Sequence, residues 1–259
     1  MLTDQVYARL DLAPPALHSS LRWAQPNFFL PFDKAGIDPF TQTFPVRMVL
    51  EGTVRGTGGL AIAGDGCETT VPGLYAAGDA ATRELITGGR SGGGSHNGAW
   101  AISSGTIAGQ AAATFARRAR GGAAPVAHPH QAGLSGRGQI PAGDVVKAVQ
   151  DEVLPLDRNM FRTRETLQAS LRRLDQAWSD AVPEISLARP QRAREAAAMV
   201  AHARWMYAAA LVRQESRAMH HRDDAPGTDP SMQHRLRVGG LESVWVAGEP
   251  GREKEELAS

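Results

Sequence analysis

The sequence predicts an α/β fold over residues 1–118, followed by an all-helical C-terminal domain. Two observations carry this prediction. Short apolar runs separated by glycine-rich turns fill the first part of the chain, which is typical of strands. Apolar residues recur every three or four positions in the second part, which is typical of amphipathic helices. At 259 residues and 42% hydrophobic, the chain has enough apolar material for one large domain or two smaller ones.

Composition argues against several classes of function. The formal net charge is +1, so nothing suggests a nucleic-acid partner or an acidic membrane surface. Cys67 is the single cysteine, which excludes an intrachain disulfide and a cysteine-ligated cluster. No apolar run approaches the roughly 20 residues that span a bilayer, and the N-terminus does not resemble a signal peptide. We therefore expect a cytoplasmic protein with no integral membrane segment and no metal site.

Prolines interrupt any long periodic element in residues 1–45, which we expect to be irregular. This region carries an aromatic and apolar cluster that needs a partner surface. The cluster consists of Trp23, Phe28, Phe29, Leu30 and Phe32.

Residues 46–118 read as strand, turn, strand, glycine-rich loop and helix. The expected strands are residues 46–50, 60–62 and 74–77, and the expected helix is residues 98–118. Small residues recur on one side of this helix, which would let it approach a sheet or a ligand closely.

Residues 119–141 have the glycine, alanine and proline content of a linker. Residues 142–237 form the predicted helical domain, and residues 238–259 a tail with one strand-like run at 243–246. The expected helices are residues 142–154, 164–181 and 190–220, the last of which starts at Pro190. Leu167, Leu171, Leu174 and Trp178 form an apolar face on the second helix.

The stretch most informative about function joins a predicted buried strand to a glycine-rich loop and a helix. The strand delivers Asp79 at its C-terminal end, where α/β sheets bind ligands. Five glycines between residues 88 and 94 then lead to Ser95, His96 and Asn97 at a helix start. Glycines let backbone N–H groups approach a ligand, and a helix N-terminus offers free N–H donors. Such a site suits an anion or the edge of a flavin that becomes negative on reduction.

This stretch, PGLYAAGD…GGRSGGGS…SG…AG, also resembles the flavin-side signature of the succinate dehydrogenase, fumarate reductase and L-aspartate oxidase flavoproteins. Its spacing matches without gaps from Gly78 to Ser95. A second, separate match is RQESRAMHHRD at residues 213–223, similar to a motif on the last long helix of the family's C-terminal domain. The resemblance covers roughly residues 31–237. It implies an incomplete FAD-binding fold at 46–118 and a remnant of the capping or connecting region at 1–45.

The resemblance implies FAD as the cofactor and a role for several residues. Asp79 takes the place of the acidic residue that binds the FAD ribityl chain, and Gly58 and Gly59 would lie near the flavin. Ser95 and the backbone of His96 fall where the family holds the flavin ring.

Two further roles concern catalysis. Arg90 takes the place of the arginine that binds a substrate carboxylate, for which a guanidinium fork is suited. His96 is a candidate proton donor near the flavin, because histidine titrates near neutrality.

The sequence also departs from the family. Val54 and Ile86 stand where the family has histidines that serve dicarboxylate binding or flavin attachment, so the substrate stays open. The GxGxxG segment that binds the FAD diphosphate does not occur after a plausible first strand. We therefore expect an FAD-dependent oxidoreductase with a small, anionic substrate and a second polypeptide that supplies the nucleotide-binding half or transfers electrons.

Plainer interpretations stay open beside these. The glycine-rich loop is also compatible with a surface loop, Asp79 with a turn residue, Arg90 with a solvated or charge-neutralising residue, and His96 with an ordinary helix-start residue. For the whole chain, the alternative is a truncated, non-catalytic fragment or accessory module that needs a partner chain carrying the GxGxxG half. A phosphate-binding loop of the P-loop type is excluded because the loop has no lysine.

Overall fold

The computed structural model describes residues 5–47, 58–83, 95–119 and 133–248. The chain divides into two compact units, residues 1–49 and 50–259, which are described separately. In the described ranges, the strands form two separate antiparallel pairs, one in each unit.

The first unit contains two helices between two paired strands. Its elements are β1 (Val6–Ala8), α1 (His18–Ala24), α2 (Pro26–Ala35) and β2 (Phe44–Val46). The strands pair antiparallel with Val6 opposite Val46. The expectation of an irregular segment is therefore wrong. Pro26 occupies the first position of α2, where its missing N–H is not needed, and Gly36 ends the helix with a φ of 68°.

Aromatic packing explains why α2 forms although Pro31 lies inside it. Phe29 is buried, and its ring centroid lies 5.5 Å from that of Phe40. The ring of His18 stacks on Phe40 with a centroid distance of 3.7 Å. The guanidinium of Arg22 lies 4.9 Å from the Phe29 ring centroid. Part of the predicted aromatic cluster thus finds its partner surface within the unit, whereas Trp23 stays 87% exposed.

The second unit begins with residues whose expected strands reduce to isolated bridges. Leu60 pairs with Ala81 and Glu68 with Tyr75, and the expected strands at 60–62 and 74–77 do not form. The described residues of this region therefore contain no sheet that would support the α/β assignment. The expected helix is present as α3 (Ser95–Arg118) and begins three residues earlier than predicted.

The rest of the second unit is a helical domain. Its helices are α4 (Ala142–Val153), α5 (Leu156–Asn159), α6 (Arg164–Gln176), a π-helical turn (Ala177–Ala181) and α7 (Pro190–Val212). Thr163 caps α6 by accepting a hydrogen bond from the Thr166 N–H. The predicted apolar face of this helix is confirmed, because Leu167, Leu174 and Trp178 are buried in the domain core.

Helix α7 lies at the centre of this domain, in contact with α4, α6 and a C-terminal hairpin. It begins at Pro190, as predicted. Its buried residues are mostly alanines, which allow neighbouring helices to approach closely. The hydroxyl of Tyr207 donates a hydrogen bond of 2.6 Å to the Glu152 carbonyl and joins α7 to α4.

The prediction that the last long helix reaches residue 220 is wrong. Helix α7 ends at Val212, because Arg213 adopts an extended conformation with φ −77° and ψ 92°. The motif at residues 213–223 therefore follows the helix instead of lying on it.

The C-terminal hairpin packs on α7. Strands β3 (Leu236–Gly239) and β4 (Trp245–Gly248) pair antiparallel, so the expected strand at 243–246 begins two residues later than predicted. The indole N–H of Trp205 donates to the Gly240 carbonyl at 2.7 Å and holds the hairpin turn.

Most of the predicted linker, residues 120–132, lies outside the described residues. Its last part joins the helical domain, where Leu134 is buried and Ile140 pairs with Ile185. In the part of the chain that the structure describes, no helix has the length and apolarity needed to cross a membrane.

Candidate functional site

Two of the sequence-predicted site segments lie side by side. The Leu60 N–H donates to the Ala80 carbonyl at 2.8 Å, and the Thr82 N–H donates to the Leu60 carbonyl at 3.0 Å. Gly59, with a φ of 123°, lies against this second segment so closely that a Cβ on it would be 2.8 Å from the Ala81 carbonyl carbon. Only glycine fits this position. The structure thus brings the predicted Gly58–Gly59 pair next to the segment that carries Asp79.

Helix α3 fixes the backbone just before Asp79. The Gly78 N–H donates to the Ser104 hydroxyl at 2.9 Å, and the Trp100 indole N–H donates to the Gly78 carbonyl at 3.0 Å. Both polar groups of Gly78 are therefore bound by α3. Ala101 lies beneath the turn, since its Cβ is 3.8 Å from the position of a Cβ on Gly78. A small residue of the helix thus allows the close approach that the sequence predicted.

The side chain of Asp79 is 60% exposed, and its Oδ1 lies 3.1 Å from Nη1 of Arg83. The side chain of Arg83 is only 1% exposed. A buried guanidinium therefore contacts an exposed carboxylate from below. An exposed carboxylate can accept hydrogen bonds from ligand hydroxyls, so its chemistry fits the ribityl chain of FAD. The rigid glycine backbone beside it also fits a site for a planar cofactor.

The other predicted site residues fall at or beyond the limits of the described structure. Arg90 lies outside the described residues. Ser95 and His96 form the first turn of α3, but their side chains are likewise outside the described part. The structure therefore gives the relation between Gly59 and Asp79, and it leaves the positions of Arg90 and the His96 imidazole as predictions.

A second charged cluster follows α7 and contains the motif at residues 213–223. Glu215 is fully buried and accepts hydrogen bonds from Arg213 at 2.7 Å, from Arg217 at 2.8 Å and from the Asp229 N–H at 2.7 Å. Burial opposes ionisation of Glu215, but the hydrogen bonds from Arg217, the Asp229 backbone and Arg213 outweigh it and lower its pKa to about 2. Glu215 is therefore ionised at neutral pH and joins residues 213–217 to the segment around Asp229.

Arg222 completes the end of α7. It donates two hydrogen bonds to Asp224, at 2.8 and 2.7 Å, and one to the Ala210 carbonyl at 3.2 Å. The hydrogen bonds from Arg222 hold the pKa of Asp224 far below its usual range, although burial opposes the shift. A side chain thus satisfies a carbonyl that the helix end leaves without an intrahelical partner.

His220 lies within the same cluster. Its Nδ1 is 2.9 Å from Nη1 of Arg162, which can only donate, so Nδ1 accepts and Nε2–H donates to the Arg213 carbonyl at 3.0 Å. Burial, followed by the charge of Arg162, lowers the pKa of His220 to about 4. The imidazole is therefore neutral near pH 7 and serves the packing of the cluster.

The neighbouring His221 is half-exposed and contacts Asp223 at 2.9 Å. The two histidines thus face different surroundings, as expected from their adjacency. In the described ranges, no three histidine, cysteine or acidic side chains lie close enough together to hold a metal ion.

Two buried arginines of these clusters were not predicted from the sequence. Arg83 and Arg162 are single arginines outside any spacing pattern, and only the fold shows that both are buried. The position of Arg83 four residues after Asp79 is the one signal that could have suggested their ion pair. Described partners of the 213–223 motif lie in the helical domain itself, among them residues 162, 164, 210, 224, 225, 227, 229, 232 and 234.

One family of known proteins matches the region that contains this charged motif. Residues 151–237 match the family described as the fumarate reductase flavoprotein C-terminal domain. A search of curated proteins gives no significant match.

Several solved structures share the fold. A variant of E. coli quinol fumarate reductase FrdA is 20% identical with a TM-score of 0.70, over 95% of this chain and 44% of that chain. A quinol–fumarate reductase with menaquinol molecules is 20% identical with a TM-score of 0.71, over 97% and 46%. An apo Mycobacterium smegmatis Sdh1 complex is 21% identical with a TM-score of 0.59, over 94% and 43%.

The chain therefore spans less than half the length of the structures that it matches. At this level of identity the structures establish the fold, and the family match independently covers the helical domain from the end of α4 onward, including its charged motif. The helical domain is therefore similar to the C-terminal domain of the fumarate reductase flavoproteins, and the chain shares its fold with the C-terminal part of solved fumarate reductase chains.

Proposed function

We propose that this chain is the C-terminal portion of an FAD-dependent oxidoreductase that holds the isoalloxazine side of FAD during hydride transfer to or from a small, anionic substrate. The observation that carries this function is the packing of Gly59 against residues 80–82, which fixes the backbone beside the exposed carboxylate of Asp79. The family match and the shared fold support the same cofactor.

Each described residue of the site has a defined task in this function. Asp79 would accept hydrogen bonds from hydroxyl groups of the ribityl chain, since its side chain is exposed and its backbone is held by α3. Gly58 would allow the flavin to approach the backbone without obstruction by a Cβ, and Gly59, packed against residues 80–82, would hold that backbone in place beside the flavin. Ser95 and the backbone of His96 would hold the flavin ring with the first N–H groups of α3.

The catalytic part of the proposal concerns Arg90 and His96. Bound FAD would supply the hydride-transfer chemistry. Arg90 would bind a carboxylate of the substrate through its guanidinium fork and orient it. His96 would supply or accept the accompanying proton. Replacing Arg90 with methionine should then raise KM strongly, whereas lysine should restore part of the binding through its charge.

A second candidate function is a non-catalytic fragment or accessory module. The specific observation in its favour is that the chain spans only 44–46% of the fumarate reductase chains with the same fold. In that case FAD would bind only when another polypeptide segment supplies the GxGxxG half. An electron-transfer subunit is a further partner that we propose by analogy with the M. smegmatis relative, which is described as a complex.

The deciding experiment is the visible absorbance of the purified chain, with and without added FAD, before and after desalting. The same measurement is repeated after co-expression with a segment that carries the nucleotide-binding half. A flavin spectrum retained by either preparation supports the cofactor role, and retention by the chain alone argues against the accessory module. If neither preparation retains flavin, the proposed function is wrong.

A matched pair of variants tests the site itself. Asp79→Asn keeps the shape of the side chain but removes its charge, and it should weaken FAD binding about tenfold, the loss of one charge-assisted hydrogen bond. Asp65→Asn is the control, because Asp65 is an exposed aspartate in a turn of the same 58–83 segment. The proposal also places the protein in the cytoplasm, which cell fractionation would test.

A further inference from the structure

We propose that Arg83 is a positioning residue for the cofactor-binding carboxylate, a role that rests on the flavin function proposed above. Through the contact between its Nη1 and Oδ1 of Asp79, Arg83 would hold this carboxylate in one rotamer. The exposed part of the carboxylate would then accept hydrogen bonds from the ribityl hydroxyls. Neither the sequence motifs nor the family resemblance assigns a task to this residue.

The first step of the argument is the contrast in burial between the two partners. The side chain of Arg83 is 1% exposed and that of Asp79 is 60% exposed. Burying a guanidinium is costly unless it is paired and hydrogen-bonded. An ordinary surface ion pair avoids that cost, because both partners stay in water. Here one partner is fixed inside the protein and the other lies at the surface, so the buried cation acts as an anchor for an exposed anion.

The second step is that the backbone on either side of Asp79 is already rigid. The Gly78 peptide is bound at both its N–H and its carbonyl by Ser104 and Trp100. The following residues, 80–82, pair with Leu60 and pack against Gly59. With the backbone fixed, the remaining freedom of Asp79 is in its side-chain torsions, and the contact with Arg83 restricts these.

The third step is the energetic consequence for binding. A side chain that is free in the unliganded protein must be ordered when it binds a ligand, and this lowers affinity. A carboxylate that is held in advance avoids that loss. A carboxylate is also a stronger hydrogen-bond acceptor than a neutral side chain. Arg83 would therefore increase FAD affinity without contact with the cofactor.

The test is a double-mutant cycle on the preparation that binds FAD, which is either the chain alone or the chain with its nucleotide-binding half. The variants are Arg83→Met, Asp79→Asn and the double variant, and the readout is the FAD dissociation constant from flavin fluorescence. Arg83→Met should weaken FAD binding about three- to tenfold, the factor expected for ordering one side chain. In the Asp79→Asn background the same substitution should have no further effect.

Arg83→Lys provides the rescue and guards against a variant that fails to fold. Lysine keeps the charge but not the planar fork, so it should recover part of the affinity lost in Arg83→Met. Its effect in the wild-type and Asp79→Asn backgrounds gives the same cycle if the methionine variant is unstable. Thermal unfolding of each flavin-free variant separates an effect on folding from an effect on binding.

Three outcomes would overturn the positioning role. The first is that the fold-losses of FAD affinity in Arg83→Met and Asp79→Asn multiply in the double variant. The second is that Arg83→Met lowers the melting temperature but leaves FAD affinity unchanged. Both leave the flavin function of the chain intact. The third is that no wild-type preparation binds FAD, which refutes the proposed function and the positioning role together.

Discussion

Acidification should destabilise the helical domain through His220. This imidazole is half-buried between the guanidinium of Arg162 and the Arg213 carbonyl, with Arg222 nearby, and its pKa is lowered to about 4 by desolvation and by the charge of Arg162. In the unfolded chain the pKa returns to its ordinary value of 6.5. Between pH 6.5 and 4, the unfolded chain therefore binds a proton that the folded protein does not bind. The free energy of unfolding is highest above pH 6.5 and falls as the pH decreases through this window.

The magnitude follows from these two pKa values. The difference corresponds to about 3 kcal/mol between pH 7.5 and pH 4. Since typical domains are stable by roughly 5–15 kcal/mol, this single histidine should account for a large part of the acid sensitivity.

Urea unfolding at a series of pH values from 7.5 to 4 measures the effect. In His220→Gln, the side chain can still accept from Arg162 and donate to the Arg213 carbonyl, but it does not titrate. The pH dependence of this variant should therefore be weaker than that of the wild type by about 3 kcal/mol over the whole range. Carboxylates such as Glu215 titrate in both proteins, so their contribution cancels in the comparison.

His221→Gln is the control, because His221 is half-exposed on the same chain segment. It should unfold with the pH dependence of the wild type. The reasoning is refuted if His220→Gln and the wild type lose stability in parallel as the pH is lowered, since His220 would then not be held neutral by the fold.

Three further changes should alter stability in ways that follow from the geometry, each measured by chemical or thermal unfolding at pH 7. Gly59→Ala should lower the free energy of unfolding by about 2 kcal/mol or more, because the residue has a positive φ and a Cβ would collide with backbone. Gly105→Ala is the control: a Cβ there has open space in α3, so this change should raise the free energy of unfolding by about 0.5–1 kcal/mol. Glu215→Gln should cost about 3 kcal/mol, because it removes the charge of a buried carboxylate that pairs with the partly buried guanidinium groups of Arg213 and Arg217. This cost should shrink as the pH falls from 4.5 towards 2, where Glu215 itself becomes protonated, and a pH-independent cost would contradict the ion-pair interpretation. Leu167→Ala should lower the free energy of unfolding by about 3 kcal/mol, because Leu167 is fully buried in the core beneath α6. Leu154→Ala, at a half-exposed position, should lower it clearly less, and equal losses would argue against this core.

The helices of the second unit were predictable from local signals. The spacing of Leu167, Leu174 and Trp178 predicted α6 and its buried face, and Pro190 marked the start of α7. The end of α7 was not predictable, because residues after Val212 continue to look helical in sequence. A tertiary contact stabilises the helix end instead: Arg222, twelve residues further along the chain, donates a hydrogen bond to the Ala210 carbonyl.

In the first unit, the sequence predicted too little regular structure. Prolines suggested an irregular segment, yet Pro26 starts α2 and the packing of Phe29 on Phe40 outweighs the cost of Pro31 inside the helix. Local rules treat each proline alone, whereas the aromatic contacts that stabilise this helix join residues distant in sequence. Even the partner of Phe32, at 4.6 Å between ring centroids, is Phe44 on strand β2.

For the candidate site, the sequence suggested candidate residues but not how they are held. The family resemblance pointed to Gly59 and Asp79, and the structure brings them near each other through backbone pairing of Leu60 with residues 80–82. Such pairing joins segments about twenty residues apart, and no periodicity encodes it. The burial of Arg83 beneath Asp79 likewise depends on the fold around it.

The central place of α7 has a consequence for how the helical domain opens. This helix contacts α4, α6 and both strands of the C-terminal hairpin, and its buried alanines let these elements pack closely against it. No neighbour of α7 can separate without exposing part of this shared interface, so partial opening should be rare. Amide protons near Val200 and Tyr207 should accordingly exchange with deuterium only on global unfolding of the domain, while those at the N-terminal turn of α4 exchange much earlier.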